Sequence, residues 1–128
     1  MKESESRTKI WDIRERAFAF AVRVVKLCEL LEEEGLVSRT IVWQLLKAGT
    51  SVGANLEEAQ AGQSKPDFIS KNAIALKEAR ESRYWLRLIL ASANLVGTLE
   101  TETADLGGEA NELALIIGSI IANTKRGV

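Results

Sequence analysis

Carboxylates at helical spacing are the first residues of this chain that could do chemistry. Glu78 and Glu81 are three residues apart, as are Glu109 and Glu112, so each pair would lie on one helix face. Such pairs can bind metal ions, but di-metal helical bundles combine them with histidine, and the chain has no His. No nucleophile motif, glycine-rich phosphate loop or catalytic carboxylate pair accompanies them. The sequence therefore predicts no enzyme activity, no bound metal and no cofactor.

A second group of polar residues falls where the helices of two hairpins would face each other. A turn near residue 36 places Arg14 level with Glu58, and a turn near residue 64 places Lys47 level with Glu81. We expect ion pairs of Arg14 with Glu58 and of Lys47 or Lys26 with Glu81. Breaking such a pair, if buried, would cost about 3 to 5 kcal/mol. The predicted structural polar core consists of Arg14, Asn55, Glu58 and Glu81.

A third group makes one face of the third predicted helix basic. At about 100° per residue its members occupy a stripe about 120° wide. We call this the basic stripe, and its members are Lys77, Arg80, Arg83, Tyr84 and Arg87. It is either a solvated face with salt bridges to neighbouring helices or a surface for a protein or nucleic-acid partner. The fourth predicted helix is acidic, so subunits could meet basic edge to acidic edge, head to tail, in a ring.

Long helices must position these residues, and the apolar periodicity predicts four of them. Apolar side chains recur at steps of three and four with no period-two runs. Gly35 ends the first helix, Ser38 caps the second, and Pro66 suits the first turn of the third. The predicted helices cover residues 10–34, 38–61, 66–94 and 103–125.

The start of the fourth helix is affected by two adjacent glycines. Gly107 and Gly108 each cost about 1 kcal/mol relative to Ala. We therefore expect this helix to begin near Thr103, or as late as Glu109. Short loops make sequential helices antiparallel, which predicts an all-α, up-and-down antiparallel four-helix bundle in a single domain over residues 1–128.

Several residues of special size suggest how the helices pack. Small residues on the second helix permit close approach of another helix, and they are Ala48, Gly49, Ser51, Gly53 and Ala54. Trp43 and Trp85 are either core anchors, the reading we favour, or the apolar centre of a subunit contact. Trp11 could cap one end of the bundle, and Cys28, the only cysteine, is interpreted as a small core residue.

The overall composition restricts the class of partner and the compartment. The 17 basic and 18 acidic residues leave a net charge of -1, which favours no strong attraction to nucleic acid or membranes as a whole. Residues 1–9 are polar and lack the features of a secretory signal, and the most apolar segment, residues 113–122, is shorter than the roughly 20 residues that a bilayer requires. We expect a cytoplasmic protein without a membrane association.

The middle of the chain resembles a known family over roughly residues 18–94. The matching motifs are QL at 44–45, SVGANLEEA at 51–59, DFI at 67–69, ALKEARES at 75–82 and YWL at 84–86. They resemble the four-helix-bundle family of 23S ribosomal RNA intervening-sequence proteins. Asn55, Glu58 and Glu81 match the pattern of that family.

This resemblance implies a homopentameric ring in a family of poorly defined biochemical role. Its members are similar in fold to the accessory variability determinant protein of diversity-generating retroelements, which binds a reverse transcriptase and nucleic acid through basic surfaces. That protein is strongly basic, whereas this chain is nearly neutral. The leading prediction is a non-enzymatic, ring-forming adaptor or assembly protein. The alternative is a nucleic-acid-binding accessory protein that uses the basic stripe and partners a reverse transcriptase.

Overall fold

Four long helices, each packed against its neighbours in sequence, build the molecule. The computed structural model describes the backbone of residues 2–62 and 64–127, and the side chains of residues 13–62 and 64–127. The helices are α1 (Lys2–Glu33), α2 (Arg39–Ala61), α3 (Lys65–Ser92) and α4 (Gly97–Lys125). Consecutive helices contact each other, and α4 also contacts α1. The predicted all-α four-helix bundle is confirmed. Within the described part of the chain, no helix has the length and apolarity that crossing a membrane requires.

Local signals in the sequence set the helix ends at the first two turns. Gly35 adopts φ +64 after α1, and the N–H of the next residue donates to the carbonyl of Leu31 at 3.2 Å, closing a Schellman motif. The side chain of Ser38 accepts a hydrogen bond from the N–H of Ile41 at the start of α2. Ser64 caps α3, and Pro66 lies in its first turn. The signals predicted at Gly35, Ser38 and Pro66 are confirmed.

Two helices are longer than the sequence pattern predicts. α1 begins at Lys2 rather than near residue 10, since no Gly or Pro interrupts the polar segment before the apolar periodicity. α4 begins at Gly97, so the prediction of a start at Thr103 or later is wrong. Thr103 and Leu106 are buried, and the burial of this first part of α4 outweighs the cost of the two glycines that follow it.

A continuous apolar core runs through the interior and joins all four helices. Its largest fully buried side chains come from every helix and include Phe20, Leu31, Leu45, Leu86, Ile89, Leu106, Leu113 and Ile117. Cys28 is buried among them, and its Sγ lies 3.7 Å from the carbonyl oxygen of Val42. Burial raises the pKa of the Cys28 thiol to about 12, so the thiol stays protonated at neutral pH and unreactive. The interpretation of Cys28 as a core residue is confirmed.

The small residues of α2 lie against α1, as predicted. A Cβ added at Gly49 would lie 2.8 Å from Cγ1 of Val24, and one added at Gly53 would lie 3.5 Å from Cβ of Ala17. The contacts of Gly49 with Val24 and of Gly53 with Ala17 also establish the register of the α1–α2 hairpin, in which the two helices are antiparallel. Close approach at Gly49 therefore holds α1 and α2 at a distance that a larger residue would increase.

Alanine at this contact tests that packing. Gly49→Ala places its methyl group against the buried, β-branched Val24, which cannot easily change rotamer. Gly107→Ala is the matched control because no atom lies within 4 Å of the added Cβ. Both gain about 1 kcal/mol of helix propensity, so overpacking should leave Gly49→Ala about 1 to 3 kcal/mol less stable than Gly107→Ala. Urea unfolding measures both variants, and equal free energies of unfolding would refute the close contact.

Candidate functional site

Two arginines of α1 tie that helix to α4. Arg16 donates two hydrogen bonds to the carboxylate of Glu109, at 3.0 and 2.6 Å, and Arg23 binds Glu102 in the same way at 3.0 and 2.7 Å. The hydrogen bonds from Arg23 lower the pKa of Glu102. These pairs did not emerge from the sequence, although a signal exists. The two arginines and the two glutamates each stand seven residues apart, as two antiparallel helix faces in contact require.

Arg14 joins α1 to α2, but with a different partner from the one predicted. Its guanidinium donates to both carboxylate oxygens of Glu57, at 3.1 and 2.7 Å, and this lowers the pKa of Glu57. Glu58 instead pairs with Lys71 on α3 at 3.2 Å, and its side chain is 60% exposed. Because adjacent helical residues point about 100° apart, Glu57 faces α1 and Glu58 faces α3. The register was right, but the predicted Arg14–Glu58 pair and the buried position of Glu58 were wrong.

The remaining residues of the predicted polar core do not form one network. Asn55 is half-buried and donates from Nδ2 to the carbonyl of Ser51 at 2.8 Å, within its own helix. Glu81 is half-buried and lies beside Glu78, whose pKa is raised by burial first and by the charge of Glu81 second. Among the described residues Glu81 forms no salt bridge, so the predicted pair with Lys47 or Lys26 is absent.

The two lysines proposed as partners of Glu81 lie in different places. The charge of Lys47 acts on Glu78, where it lowers the pKa against the raising effects of burial and Glu81. Lys26 lines a hollow of about 680 Å³ between α1 and the first turns of α4, away from α3. Within the described residues, no cluster of three or more metal-ligating side chains could hold a metal ion.

The basic stripe lies on the surface of the bundle. All five of its side chains are exposed, and none of its cations lies within 4.0 Å of a carboxylate of the described residues. The ring of Tyr84 packs edge-on against Trp85, with ring centroids 5.2 Å apart. The alternative of salt bridges to neighbouring helices, which the sequence left open, does not apply to these residues.

A groove between α3 and α4 runs beside this stripe. It consists of two hollows, of about 280 and 260 Å³, that share Arg83 and Asn111 in their walls. Arg87 lines the first hollow and Arg80 the second. We refer to the two hollows together as the α3–α4 groove. The three arginines therefore form one bank of a depression rather than part of a flat surface.

The opposite side of the bundle exposes large apolar side chains. Phe18 on α1 is 69% exposed and Trp43 on α2 is 57% exposed, while Val22 is exposed one helical turn after Phe18. We call these three residues the outer apolar face. The favoured interpretation of Trp43 as a core anchor is wrong, because Trp43 lies about 160° around α2 from the buried Leu45.

Structural roles were also predicted for Trp85 and Trp11, and the structure describes the side chain of Trp85. Trp85 is partly buried against the core, so its predicted place is confirmed, although its buried Nε1 has no hydrogen-bond partner among the described residues. The side chain of Trp11 lies outside the described residues.

Comparison with known proteins supports the fold and the resemblance to the 23S ribosomal RNA intervening-sequence family. A family model described as "23S rRNA-intervening sequence protein" matches residues 9–119. Among solved structures, a protein of unknown function from the S23 ribosomal protein family of Bacteroides thetaiotaomicron is 35% identical to this chain. The match covers 89% of this chain and 98% of that protein, with a TM-score of 0.80. No match was found among curated proteins.

Alanine substitutions of two glutamates test the ion pairs. Glu58→Ala should change the free energy of unfolding by about 0.5 kcal/mol or less, because its pair with Lys71 is solvated. Glu109→Ala should cost about 1 kcal/mol, since its carboxylate is 22% exposed and accepts both hydrogen bonds of a guanidinium fork. Urea unfolding at neutral pH distinguishes them. A loss of about 3 to 5 kcal/mol in Glu58→Ala would instead indicate a buried pair.

Proposed function

The chain belongs to the family of 23S rRNA-intervening sequence proteins, and on this premise we propose that it is a non-enzymatic assembly module whose copies form a ring that binds another macromolecule. The similar Bacteroides protein of known structure is described as a protein of unknown function. The proposal therefore depends on the surfaces of this chain. The outer apolar face carries it.

The outer apolar face has the character of a surface that another protein covers. Trp43 and Phe18 leave most of their side chains in water, although burying an aromatic side chain is among the most favourable steps in association. Large exposed apolar side chains mark interaction sites. The α1–α2 register places Trp43 level with about residue 29 of α1, so the contact would extend along the helices from Phe18 to Trp43. Both residues lie on helices that the arginine forks and the core hold rigidly, so little ordering of the backbone would oppose association.

This face supports self-association better than the contact of basic and acidic edges that the sequence suggested. Glu102 and Glu109 of α4 already accept hydrogen bonds from α1 of the same chain. A neighbouring copy that approached through its basic stripe would have to compete with these pairs. An apolar contact requires no such exchange. It closes a ring when this face meets a different surface of the neighbouring copy, head to tail, because a face that meets itself gives only a two-fold dimer. The family resemblance implies five copies.

Light scattering tests the assembly. The wild-type protein at micromolar concentration should have a mass several times the chain mass of 14.1 kDa, and Trp43→Glu should lower it because a charge would be buried in the contact. Leu115→Glu is the matched control, since Leu115 is 62% exposed but lies on α4. A monomeric wild type, or a Trp43→Glu protein with undiminished mass, would contradict the proposal.

A nucleic-acid-binding accessory role is the second candidate, and the unpaired basic stripe favours it. Its cations are free of carboxylates within the described residues, so phosphates would meet no intramolecular competitor. The exposed ring of Tyr84 offers a surface on which a base could stack. A reverse-transcriptase partner, implied by the resemblance to the retroelement protein, stays part of this candidate.

Salt dependence of RNA binding tests the second candidate. The logarithm of the affinity for a single-stranded RNA oligonucleotide should fall with the logarithm of salt concentration, with a slope near -0.7 per phosphate contacted. The double variant Arg80→Glu/Arg83→Glu should abolish this binding. The control Arg39→Glu/Lys125→Glu reverses as much charge at exposed positions outside the stripe and should retain it. Absence of binding by the wild type at low salt would exclude the role.

A further inference from the structure

The α3–α4 groove combines unneutralised charge with space for a partner. Arg80, Arg83 and Arg87 line one bank and belong to no salt bridge among the described residues. All three arginines of α1 whose side chains are described, by contrast, hold a glutamate in a two-point fork. The protein therefore neutralises the arginines of one helix and leaves those of another open.

The rotation of α4 explains why the arginines of α3 stay open. Its acidic residues Glu102 and Glu109 point toward α1, where Arg23 and Arg16 bind them. The side of α4 that faces α3 carries small residues instead, and Ala104, Gly107, Gly108 and Ala114 line the groove. The nearest helix thus supplies no carboxylate to the groove.

The groove is open enough to admit a second backbone. A Cβ added at Gly107 or Gly108 would meet no atom within 4 Å. Leu86 and Leu90 line the first hollow, and Leu115, which is largely exposed, lines the second. An occupant would therefore contact apolar side chains and bare backbone along the groove, and guanidinium groups along its edge.

On the basis of the proposed function, we propose that the α3–α4 groove binds an acidic amphipathic helix of the partner protein. The spacing of the arginines supports this occupant. Arg80, Arg83 and Arg87 follow steps of three and four residues, which correspond to rises of about 4.5 and 6 Å. Glutamates at the same steps on another helix repeat at the same rises, so three carboxylates can meet three guanidinium groups.

The groove favours a protein helix over a nucleic-acid strand. A phosphate backbone would bind the arginines but leave the apolar hollows unfilled, whereas an amphipathic helix fills them with its apolar side chains. The small residues of α4 let a helix approach closely.

A designed peptide tests the groove directly. The probe is a fluorescein-labelled, hydrocarbon-stapled helix of about 18 residues, with glutamates at steps of three and four on one side and leucines beside them. Fluorescence anisotropy at low salt should detect binding to the wild type. A peptide with glutamine in place of each glutamate should bind at least about tenfold more weakly, because the guanidinium groups would lose their charged partners.

Two protein variants separate the groove from simple charge attraction. Arg83→Glu/Arg87→Glu should weaken binding at least about tenfold, whereas Arg39→Glu/Lys125→Glu, with the same change in net charge, should not. Gly107→Leu fills the groove without changing charge and should weaken binding to a similar degree. Gly118→Leu is its control, since Gly118 also has no atom within 4 Å of an added Cβ but lines neither hollow.

The outcomes distinguish the occupants and the two proposals. Absent peptide binding, or binding unaffected by Gly107→Leu, overturns the helix-in-groove proposal. A second result would also overturn the proposal: single-stranded RNA competes with the peptide, and RNA binding is unaffected by Gly107→Leu. The arginines would then bind the phosphates of a nucleic acid, and the hollows would not be used. Light scattering on the same samples tests the proposed function separately. An oligomer that does not bind the peptide refutes only the groove proposal. A monomer that binds the peptide refutes only the ring.

Discussion

The rotation of α4 about its own axis is the constraint on which the candidate surfaces depend. The buried stripe of that helix, which includes Leu106, Ala110, Leu113 and Ile117, can face the core in only one orientation. That orientation turns Glu102 and Glu109 toward α1 and turns the small residues that line the groove toward α3. Burial of these apolar side chains contributes far more free energy than the partly exposed Arg–Glu forks, so the forks follow from the rotation rather than cause it.

The open charge of α3 is a consequence of the same constraint. Nearly equal numbers of acidic and basic residues would permit every arginine a carboxylate partner. The arginines of α1 are paired instead, because Glu102 and Glu109 of α4 face α1 and not the arginines of α3. A chain with a net charge of -1 can therefore carry a strongly cationic groove. Bulk charge predicts the attraction of the whole molecule, but not that of one face.

Much of the fold could be predicted from the sequence because its signals are local and periodic. Gly35, Ser38 and Pro66 act within one turn, and the register of both hairpins follows from the position of these turns. The start of α4 was missed because its outcome depends on the burial of Thr103 and Leu106, which no local propensity includes. Glu57 and Glu58 were confused because a register argument gives the height of a residue but not its direction around the helix.

The sequence predicts which residues form the candidate site, but not whether their charges are paired with carboxylates. Periodicity placed Arg80, Arg83 and Arg87 on one face, and the structure agrees. Whether carboxylates neutralise those arginines depends on the rotation of α4 about its own axis. Predicting that rotation requires knowing which apolar stripe of α4 faces the core. Trp43 was assigned to the core because tryptophan is usually buried, yet α2 had enough smaller apolar residues, such as Leu45 and Val52, to fill its buried side.

The two surfaces can operate together because the bundle separates them. In an up-and-down bundle the pair α1 and α2 lies opposite the pair α3 and α4, so an occupant of the outer apolar face leaves the α3–α4 groove uncovered. A ring joined through Trp43 and Phe18 would repeat the groove once per copy. Each weak site would then gain from the high effective concentration of its neighbours, so that a partner with several acidic helices would bind the ring far more tightly than a single subunit. Assembly and recognition would thus be linked through valency, without any change of conformation in the bundle itself.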